Sequence, residues 1–310
     1  MTVLMYGVLL VCVALFVVVV VLRAIRFARM PIHLRWELYP IPHEEPHRVK
    51  HGGSYFEEAD WWTKPRRRNL LGELRAMAPE ILFMRGLWEF NRALWVRSYS
   101  FHFGLYLLIG TVTLVLLTAI LDILHPGLLA GSLGRGLHWL YTVTGLSGLL
   151  LAVIGAGALL IRRLTAEDLK GYTTPGDIFN LCAFIVALGC LLAGYLLRGP
   201  ESVTAVGFAR GVLTFDTSVR LPGLLAVGVI LSALLVAYIP CTHMAHFIGK
   251  YFTYHSVRWN DQPNTPGGRL ERKIAEYLTY RPTWAAPHVG ADGAKTWGEV
   301  AATIPKRKSK

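Results

Sequence analysis

Five apolar runs alternate with polar connections along the chain, and each run is long enough to cross a membrane. A transmembrane helix takes about 20 apolar residues at a rise of about 1.5 Å each. The runs cover residues 3–22, 101–124, 137–161, 177–197 and 221–247. The pattern predicts an all-α fold, an integral membrane bundle of five helices with a long segment between the first helix and the second.

Lysine and arginine are concentrated on one side of this predicted bundle. Segments 23–98, 162–176 and 248–310 hold 14, 3 and 11 of them, which is 28 of the 32 in the chain. Positively charged loops remain in the cytoplasm during insertion. The N-terminus is therefore predicted to lie outside and the C-terminus in the cytoplasm, together with the long segment after the first helix.

The composition agrees with a membrane protein. Charged residues make up 17% of the chain, against about 25% in soluble domains. The first run has no basic residue before it and no small-residue cleavage site after it, which favours a retained helix over a secretory signal. The net charge of +12 lies mostly on the cytoplasmic side, where it suits anionic lipid or an acidic partner. Nucleic acid is a poor candidate, because no binding motif accompanies the basic residues.

The sequence predicts four parts, which are helix 1 (1–23), a cytoplasmic segment (24–98), helices two to five (99–248) and a cytoplasmic tail (249–310). Prolines in the first half of the cytoplasmic segment predict an ordered, non-helical strap: Pro31, Pro40, Pro42 and Pro46. In the second half, apolar residues from Leu70 to Met77 lie at helical spacing, and Pro79 is predicted to start a second helix. These two short helices are expected on the inner membrane surface, anchored by Trp61, Trp62, Trp88 and Trp95.

The cytoplasmic segment has two interpretations, lipid anchoring alone or a docking platform for a soluble subunit. Docking is favoured because a plain connector needs only a few residues. The strap histidines show no metal-ligand spacing: His33, His43, His47 and His51. The tail adds an amphipathic stretch expected on the same face, at Leu270, Ile274, Tyr277 and Leu278.

The cysteines lie in the membrane segments without a Cys-x-x-Cys pair: Cys12, Cys182, Cys190 and Cys241. This argues against an iron–sulfur cluster, structural zinc or covalently attached haem in this chain. Any iron–sulfur chemistry is therefore expected from another subunit.

Histidines inside membrane helices are candidates for function. They are His102 near the start of the second run, His138 at the outer start of the third, and His243 and His246 near the inner end of the fifth. A b-type haem needs two imidazoles at equal depth on different helices. His102 and His246 match in depth to within about one residue, or about 1.5 Å, and are the predicted axial ligands.

On a continuous helix, His243 would lie about 4.5 Å deeper than His246 and about 60° round the axis. It is predicted to act beside the haem or on the quinone side instead of binding iron. Arg97 and Lys250, just on the aqueous side, are candidates to meet haem propionates. The competing interpretation is that these histidines lie at the membrane edge and bond carbonyls or lipid headgroups.

The stretches SFHFGLYLLIG (100–110) and YIPCTHMAHFIG (238–249) resemble the gamma subunit of respiratory nitrate reductases, a five-helix cytochrome b that oxidises quinol. The likeness covers helices two to five, with Phe101-His102 and Gly104 in one stretch and Pro240 six residues before His246 in the other. In that family the second helix carries two haem-ligating histidines ten apart, and the fifth carries two eighteen apart. The resemblance implies that His102 and His246 hold the inner haem.

The outer haem ligands of that family do not carry over, since Val112 and Gly228 stand at the matching positions. One haem b is therefore favoured, with a second left open if His138 holds it. The proline-rich strap looks more like the cytochrome b subunits of heterodisulfide-reductase-like and electron-transfer-flavoprotein:menaquinone oxidoreductase complexes. That likeness implies a cytoplasmic iron–sulfur partner, fed by an electron-transfer flavoprotein, in a bacterial or archaeal cytoplasmic membrane.

The expected function is electron transfer between a membrane quinone, such as menaquinone, and the iron–sulfur subunit of a respiratory complex. The quinone is expected near the haem or at an outer cluster of His138, Trp139, Tyr141 and Arg135, where an imidazole could exchange protons. Two rival functions are a transporter, which requires polar residues through the bilayer middle, and a membrane anchor without a cofactor.

Overall fold

The computed structural model describes residues 2–29, 69–253, 264–283 and 289–303, and every regular element in these ranges is helical. The α-helices are α1 (Thr2–Arg29), α2 (Leu70–Phe83), α3 (Arg85–Phe90), α4 (Arg92–Leu124), α5 (Ser132–Thr165), α6 (Pro175–Leu196), α7 (Ala205–Thr214), α8 (Gly223–Tyr238), α9 (His246–Thr253), α10 (Arg269–Leu278) and α11 (Trp297–Ala302). Single 3₁₀ turns cover Leu128–Ala130, Glu167–Leu169, Ile239–Cys241 and His243–Ala245.

Five of these helices are long and apolar enough to cross a membrane, which confirms the sequence prediction. They are α1, α4, α5, α6, and α8 with its 3₁₀ extension to Cys241. Helices α4 and α5 are longer than their apolar runs, because each continues in regular helix through flanking polar residues. Since the helices alternate in direction, one end of the bundle carries His102 and the other carries His138. We call these the His102 end and the His138 end.

The long helices pack in chain order, α4 on α5, α5 on α6 and α6 on α8. Small residues make the contact between α4 and α5 close. A Cβ atom added to Gly104 would lie 2.5 Å from the backbone nitrogen of Ala152, and one on Gly155 would lie 2.4 Å from that of Phe101. Membrane helices associate largely through such close packing, so the position of Phe101, and of the residue beside it, is set by these glycines.

The fifth membrane segment corrects one expectation. The apolar run 221–247 was expected to form one helix, but α8 ends at Tyr238 and two 3₁₀ turns follow. Pro240 cannot donate the next helical hydrogen bond, and Thr242 has an extended backbone (φ −114°, ψ −176°). The depth difference of about 4.5 Å and the rotation of about 60° that a continuous helix would give between His243 and His246 therefore do not apply.

The short helices before α4 also differ from the prediction. Pro79 lies inside α2 instead of starting a new helix. The break falls at Met84, whose φ of 50° is left-handed, and α3 follows it. The indole of Trp95 donates a 2.7 Å hydrogen bond to the carbonyl of Phe83, and the hydroxyl of Tyr106 donates one of 2.8 Å to that of Ile81. The end of α2 is thereby fixed to α4. The proline-rich strap lies outside the described residues.

Helix α7, in the connection between α6 and α8, was not anticipated. Its first turn is capped by Thr204, whose hydroxyl accepts a hydrogen bond from Gly207 N. Its apolar face contacts α4 and α5, where Ala209 joins a buried cluster with Val115, Ala119 and Tyr141. The helix therefore covers the bundle at the His138 end.

By its contacts the chain divides into a membrane unit, residues 1–25 and 74–249, and a second unit, residues 26–73 and 250–310. In the second unit, the predicted amphipathic stretch of the tail forms α10. Helix α11, which the sequence did not suggest, packs against it. The backbone nitrogen of Trp297 donates a 2.8 Å hydrogen bond to the carbonyl of Tyr280, and Gly298 lies against Leu278.

Candidate functional site

His102 lies on α4, one turn after Ser98. Its Nδ1 is 2.8 Å from the carbonyl oxygen of Ser98 and 3.4 Å from the Ser98 hydroxyl. In a neutral ring whose Nδ1–H donates to the carbonyl, the lone pair lies on Nε2. Metal-binding histidines are commonly oriented by such a bond from the second ring nitrogen. The carbonyl of Ser98 therefore favours the tautomer whose Nε2 could bind a metal.

The backbone break at Met84 supports this arrangement. The Met84 sulfur lies 3.6 Å from the Ser98 hydroxyl, so the junction between α2 and α3 contacts the residue that bonds His102. A left-handed backbone costs a residue with a side chain about 1–2 kcal/mol. Trp95, bonded to the preceding carbonyl, helps to hold Met84 in this conformation.

His246 begins α9, directly after the second 3₁₀ turn. The centres of the His102 and His246 rings are 6.1 Å apart, with an interplanar angle of 67°. His102 is half-buried and His246 is exposed. The structure thus brings together two imidazoles from helices that are far apart in the chain.

The separation of these rings suits a shared metal. A metal–imidazole bond is about 2.0–2.1 Å long and each nitrogen lies about 1.1 Å from its ring centre, so two axial imidazoles on one iron are centred about 6 Å apart. Within the described residues, α4 forms no extensive contact with α8 or with α9, which carries His246. The residues present fit a haem b.

His243 points to a different partner. Its Nε2 is 3.5 Å from a carboxylate oxygen of Asp177, at the start of α6, and 66% of its side chain is exposed. Asp177 also accepts hydrogen bonds from the nitrogen and hydroxyl of Thr174. His243 lies on a 3₁₀ turn separated from α9, so its direction follows the break at Thr242.

The two predicted propionate partners are less defined. Arg97 lies on α4, where one guanidinium nitrogen is 3.4 Å from the carbonyl oxygen of Ala93. Lys250 follows His246 by four residues in α9. Their predicted role stays a prediction.

The His138 end contains a cavity of ≈ 200 Å³. Its walls come from α4, α5, α6 and α8, and α7 closes one side with Ala205 and Phe208. Apolar side chains line most of it, including Leu108, Leu149 and Leu191. A cavity of about 150 Å³ in an apolar core can bind benzene, so this one has room for a small aromatic ring system.

Several polar groups are also among the residues that line this cavity. His138 Nδ1 and the Tyr141 hydroxyl are 2.6 Å apart, and both side chains line the cavity. Arg198 lies with its guanidinium 3.7 Å from the Tyr195 ring centre, and these two also line it. The buried Thr142 hydroxyl, another wall group, lacks a hydrogen-bond partner within the structure. A ligand with oxygen atoms on an aromatic ring would satisfy these donors and acceptors.

The predicted outer cluster is therefore brought together only in part. Arg135 is exposed and is not among the cavity residues, and Trp139 is 66% exposed. The basic residue that lines the cavity is Arg198 instead of Arg135. It could have been found from sequence, because it is one of only four basic residues predicted on the outer side. Thr142 carried no sequence signal, since its importance depends on the lack of a partner.

The position that would hold an outer haem ligand is filled by a helix crossing. A Cβ atom added to Gly228 on α8 would lie 2.5 Å from the backbone nitrogen of Leu191 on α6. Val112, the other such position, is 58% exposed and borders the cavity. A histidine at residue 228 would require α6 and α8 to separate, so a second haem held as in the two-haem pattern does not fit.

A family model described as nitrate reductase gamma subunit matches residues 87–260, more than half of the chain. The chain belongs to this family. The match runs from α3 to beyond α9 and includes both His102 and His246. Comparisons with curated proteins and with solved structures gave no match.

Membership indicates a membrane cytochrome b that transfers electrons, in a family whose gamma subunits bind haem b. It also agrees with a partner catalytic subunit in a respiratory complex. Within the described residues, no group of three or more His, Cys, Asp or Glu side chains could hold a metal ion. That finding is compatible with haem, because the porphyrin supplies four ligands and the protein only the two axial ones.

Proposed function

We propose that this chain passes electrons between a membrane quinone and a cytoplasmic iron–sulfur subunit through one haem b. The observation that carries the proposal is the 6.1 Å separation of the His102 and His246 rings on two helices that are not extensively packed together. Haem supplies one-electron redox chemistry when it is bound. His102 and His246 would hold the haem, and the carbonyl of Ser98 would orient the His102 ring.

Quinone is assigned to the cavity at the His138 end. The apolar walls suit the ring system and the start of an isoprenoid chain, and Thr142, Tyr141 and Arg198 offer hydrogen bonds to its oxygens. An imidazole is well suited to accept and release protons near neutral pH. In the tautomer whose Nδ1–H donates to Tyr141, Nε2 of His138 would accept one quinol proton as one electron passes towards His102. It would release that proton to the outer side before the second proton and electron follow in the same way.

The proposed orientation places the His138 end outside and the His102 end in the cytoplasm. Its support is the excess of Lys and Arg in the connections at the His102 end. In a bacterial or archaeal cytoplasmic membrane, protons from a quinol would then leave on the outer side. Menaquinone is the proposed quinone, by resemblance to the menaquinone-linked cytochromes.

The proposed partner is a heterodisulfide-reductase-like iron–sulfur subunit that receives electrons from an electron-transfer flavoprotein. Helices α2 and α3 support a docking role because they carry exposed apolar side chains, including Leu71 at 79% and Phe90 at 88% exposure. Co-purification of a cysteine-rich protein tests this assignment. Loss of that protein on replacing Leu71 and Phe90 with serine, with haem content unchanged, is the expected result.

A reduced-minus-oxidised absorbance spectrum of the purified protein tests the haem. Dithionite is expected to produce a b-type band, with one haem per polypeptide. Absence of the band would favour an anchor without a cofactor, and a ratio near two would refute the single-haem proposal. Reduction by menadiol, a soluble two-ring quinol, tests the quinone reaction separately.

A further inference from the structure

Helix α1 contacts the rest of the membrane unit mainly through its first turns. Its buried residues are Thr2, Met5, Tyr6 and Cys12, whereas later residues such as Val18 and Leu22 are 53% and 60% exposed. An apolar side chain that is exposed on a membrane helix faces lipid. The buried residues of α1 thus lie near the His138 end, where the cavity lies.

Two hydroxyl groups of α1 bind the chain that follows α7. Tyr6 donates a 3.0 Å hydrogen bond to the carbonyl of Asp216, and Thr2 donates one of 3.0 Å to that of Val219. The approach of Tyr6 depends on a glycine, because a Cβ atom on Gly211 would lie 2.6 Å from the Tyr6 oxygen. The end of α7 is therefore held against α1.

The same tyrosine contacts the cavity wall. The Tyr6 and Phe208 rings meet edge to face, with centres 6.0 Å apart, and Phe208 lines the cavity. Met5 and Tyr6 also share a buried cluster with Ala226 of α8, against which Phe208 and Leu221 pack. A continuous set of contacts therefore runs from Asp216 through Tyr6 to the cavity wall.

We infer that Tyr6 is a positioning residue for the proposed quinone site, and this inference rests on that proposal. Tyr6 holds Phe208 and α7 at the distance that fits a two-ring quinone. Helix α1 thereby has a role in quinone binding although none of its residues lines the cavity. Its effect is on the affinity and ring-size preference of the cavity, and the haem at the other end is outside its reach.

Equilibrium binding of radiolabelled menadione to the purified holoprotein tests the inference. Tyr6→Phe keeps the ring and removes only the hydroxyl, and should weaken binding about threefold to tenfold, as expected for one lost hydrogen bond. Tyr106→Phe is the matched control, since that hydroxyl also donates to a backbone carbonyl, Ile81 O, but lies outside the cavity. Its menadione affinity should stay within about twofold of the original.

A double substitution shows whether Tyr6 acts through Phe208. Phe208→Ala enlarges the cavity and should weaken menadione binding by itself. If Tyr6 positions Phe208, adding Tyr6→Phe to Phe208→Ala should change the affinity less than twofold, because coupled residues are not additive. The dithionite-reduced spectrum should be the same in all four variants.

Three outcomes count against these claims and are distinguishable. Equal menadione affinity in Tyr6→Phe and Tyr106→Phe would overturn the inference. A full Tyr6→Phe effect in the Phe208→Ala background would show that Tyr6 does not act through the wall. A protein with a normal haem spectrum that fails to bind menadione at all would refute the proposed quinone site itself, and the inference with it.

Discussion

The fifth membrane segment is broken at the His102 end, whereas at the His138 end it packs closely against α6. Pro240 and Thr242 end α8 before His246, whose ring centre lies 6.1 Å from that of His102. At the other end, Gly228 brings α8 into backbone contact with α6. The same membrane segment is therefore interrupted near the two imidazoles and closely packed near Gly228.

The comparison teaches that packing, as well as residue identity, keeps a haem-binding side chain from residue 228. Glycine at residue 228 removes a ligand and also allows a helix crossing that a side chain would prevent. The volume left beside the crossing is the cavity of ≈ 200 Å³.

The largest effect is expected from the axial ligands. His246→Ala or His102→Ala should abolish the b-type band, because one imidazole is too few for the proposed coordination. His243→Ala is the control, since it lies three residues away and contacts Asp177 instead; it should keep most of the haem. Haem per polypeptide in purified protein is the measurement. Loss of haem in His243→Ala with retention in His246→Ala would reverse the assignment.

The next effect concerns proton transfer at the His138 end. His138→Gln should slow haem reduction by menadiol by about 10²-fold, the lower range for loss of a proton-accepting group, while dithionite reduction stays unchanged. His125→Gln is the matched control, because His125 is exposed at the same end and is not a cavity residue. Stopped-flow absorbance measures both reactions. Equal menadiol rates in the two variants would remove His138 from the mechanism.

Several of these features were readable from the sequence. Hydrophobic runs predicted five helices, and the alternation of helix direction predicted that His102 and His246 share one level. Pro240 is a helix-ending signal in the sequence, but the two 3₁₀ turns between it and His246 are not predictable from that signal alone. The left-handed Met84, the crossing at Gly228 and the unpartnered Thr142 hydroxyl were not predictable, because each depends on which helices meet in three dimensions.

A third prediction isolates the helix crossing by a matched pair of glycines. Gly228→Ala places a methyl group against the backbone of Leu191 and should destabilise the protein by about 1–3 kcal/mol, the usual cost of overpacking. Gly189→Ala lies on α6 with nothing within 4 Å of its new Cβ, and should be neutral or stabilising by about 0.5–1 kcal/mol. Thermal unfolding in detergent measures the difference. Similar melting temperatures for the two would show that the crossing tolerates a side chain.

Helix α7 is held to the bundle by an ion pair and, through Tyr6, by α1. The smallest effect is expected from removal of the ion pair. Arg210 of α7 and Asp122 of α4 form an ion pair of 2.9 Å, with 54% and 27% of their side chains exposed. Exposed pairs contribute about 0–1 kcal/mol and are screened by salt, with a Debye length of about 3 Å at 1 M. Arg210→Gln should therefore weaken menadione binding at most about twofold at low salt, and not at all at 1 M.

Tyr6 provides the contrast for this pair, because its hydrogen bond to Asp216 lies in a buried contact that salt does not screen. The Tyr6→Phe effect on menadione affinity should persist unchanged from low salt to about 1 M. Reversal of both charges, Asp122→Arg with Arg210→Asp, should restore the affinity lost in Arg210→Gln. If Arg210→Gln weakened binding more than Tyr6→Phe, the cavity wall would be held by its exposed charge and not by the first helix.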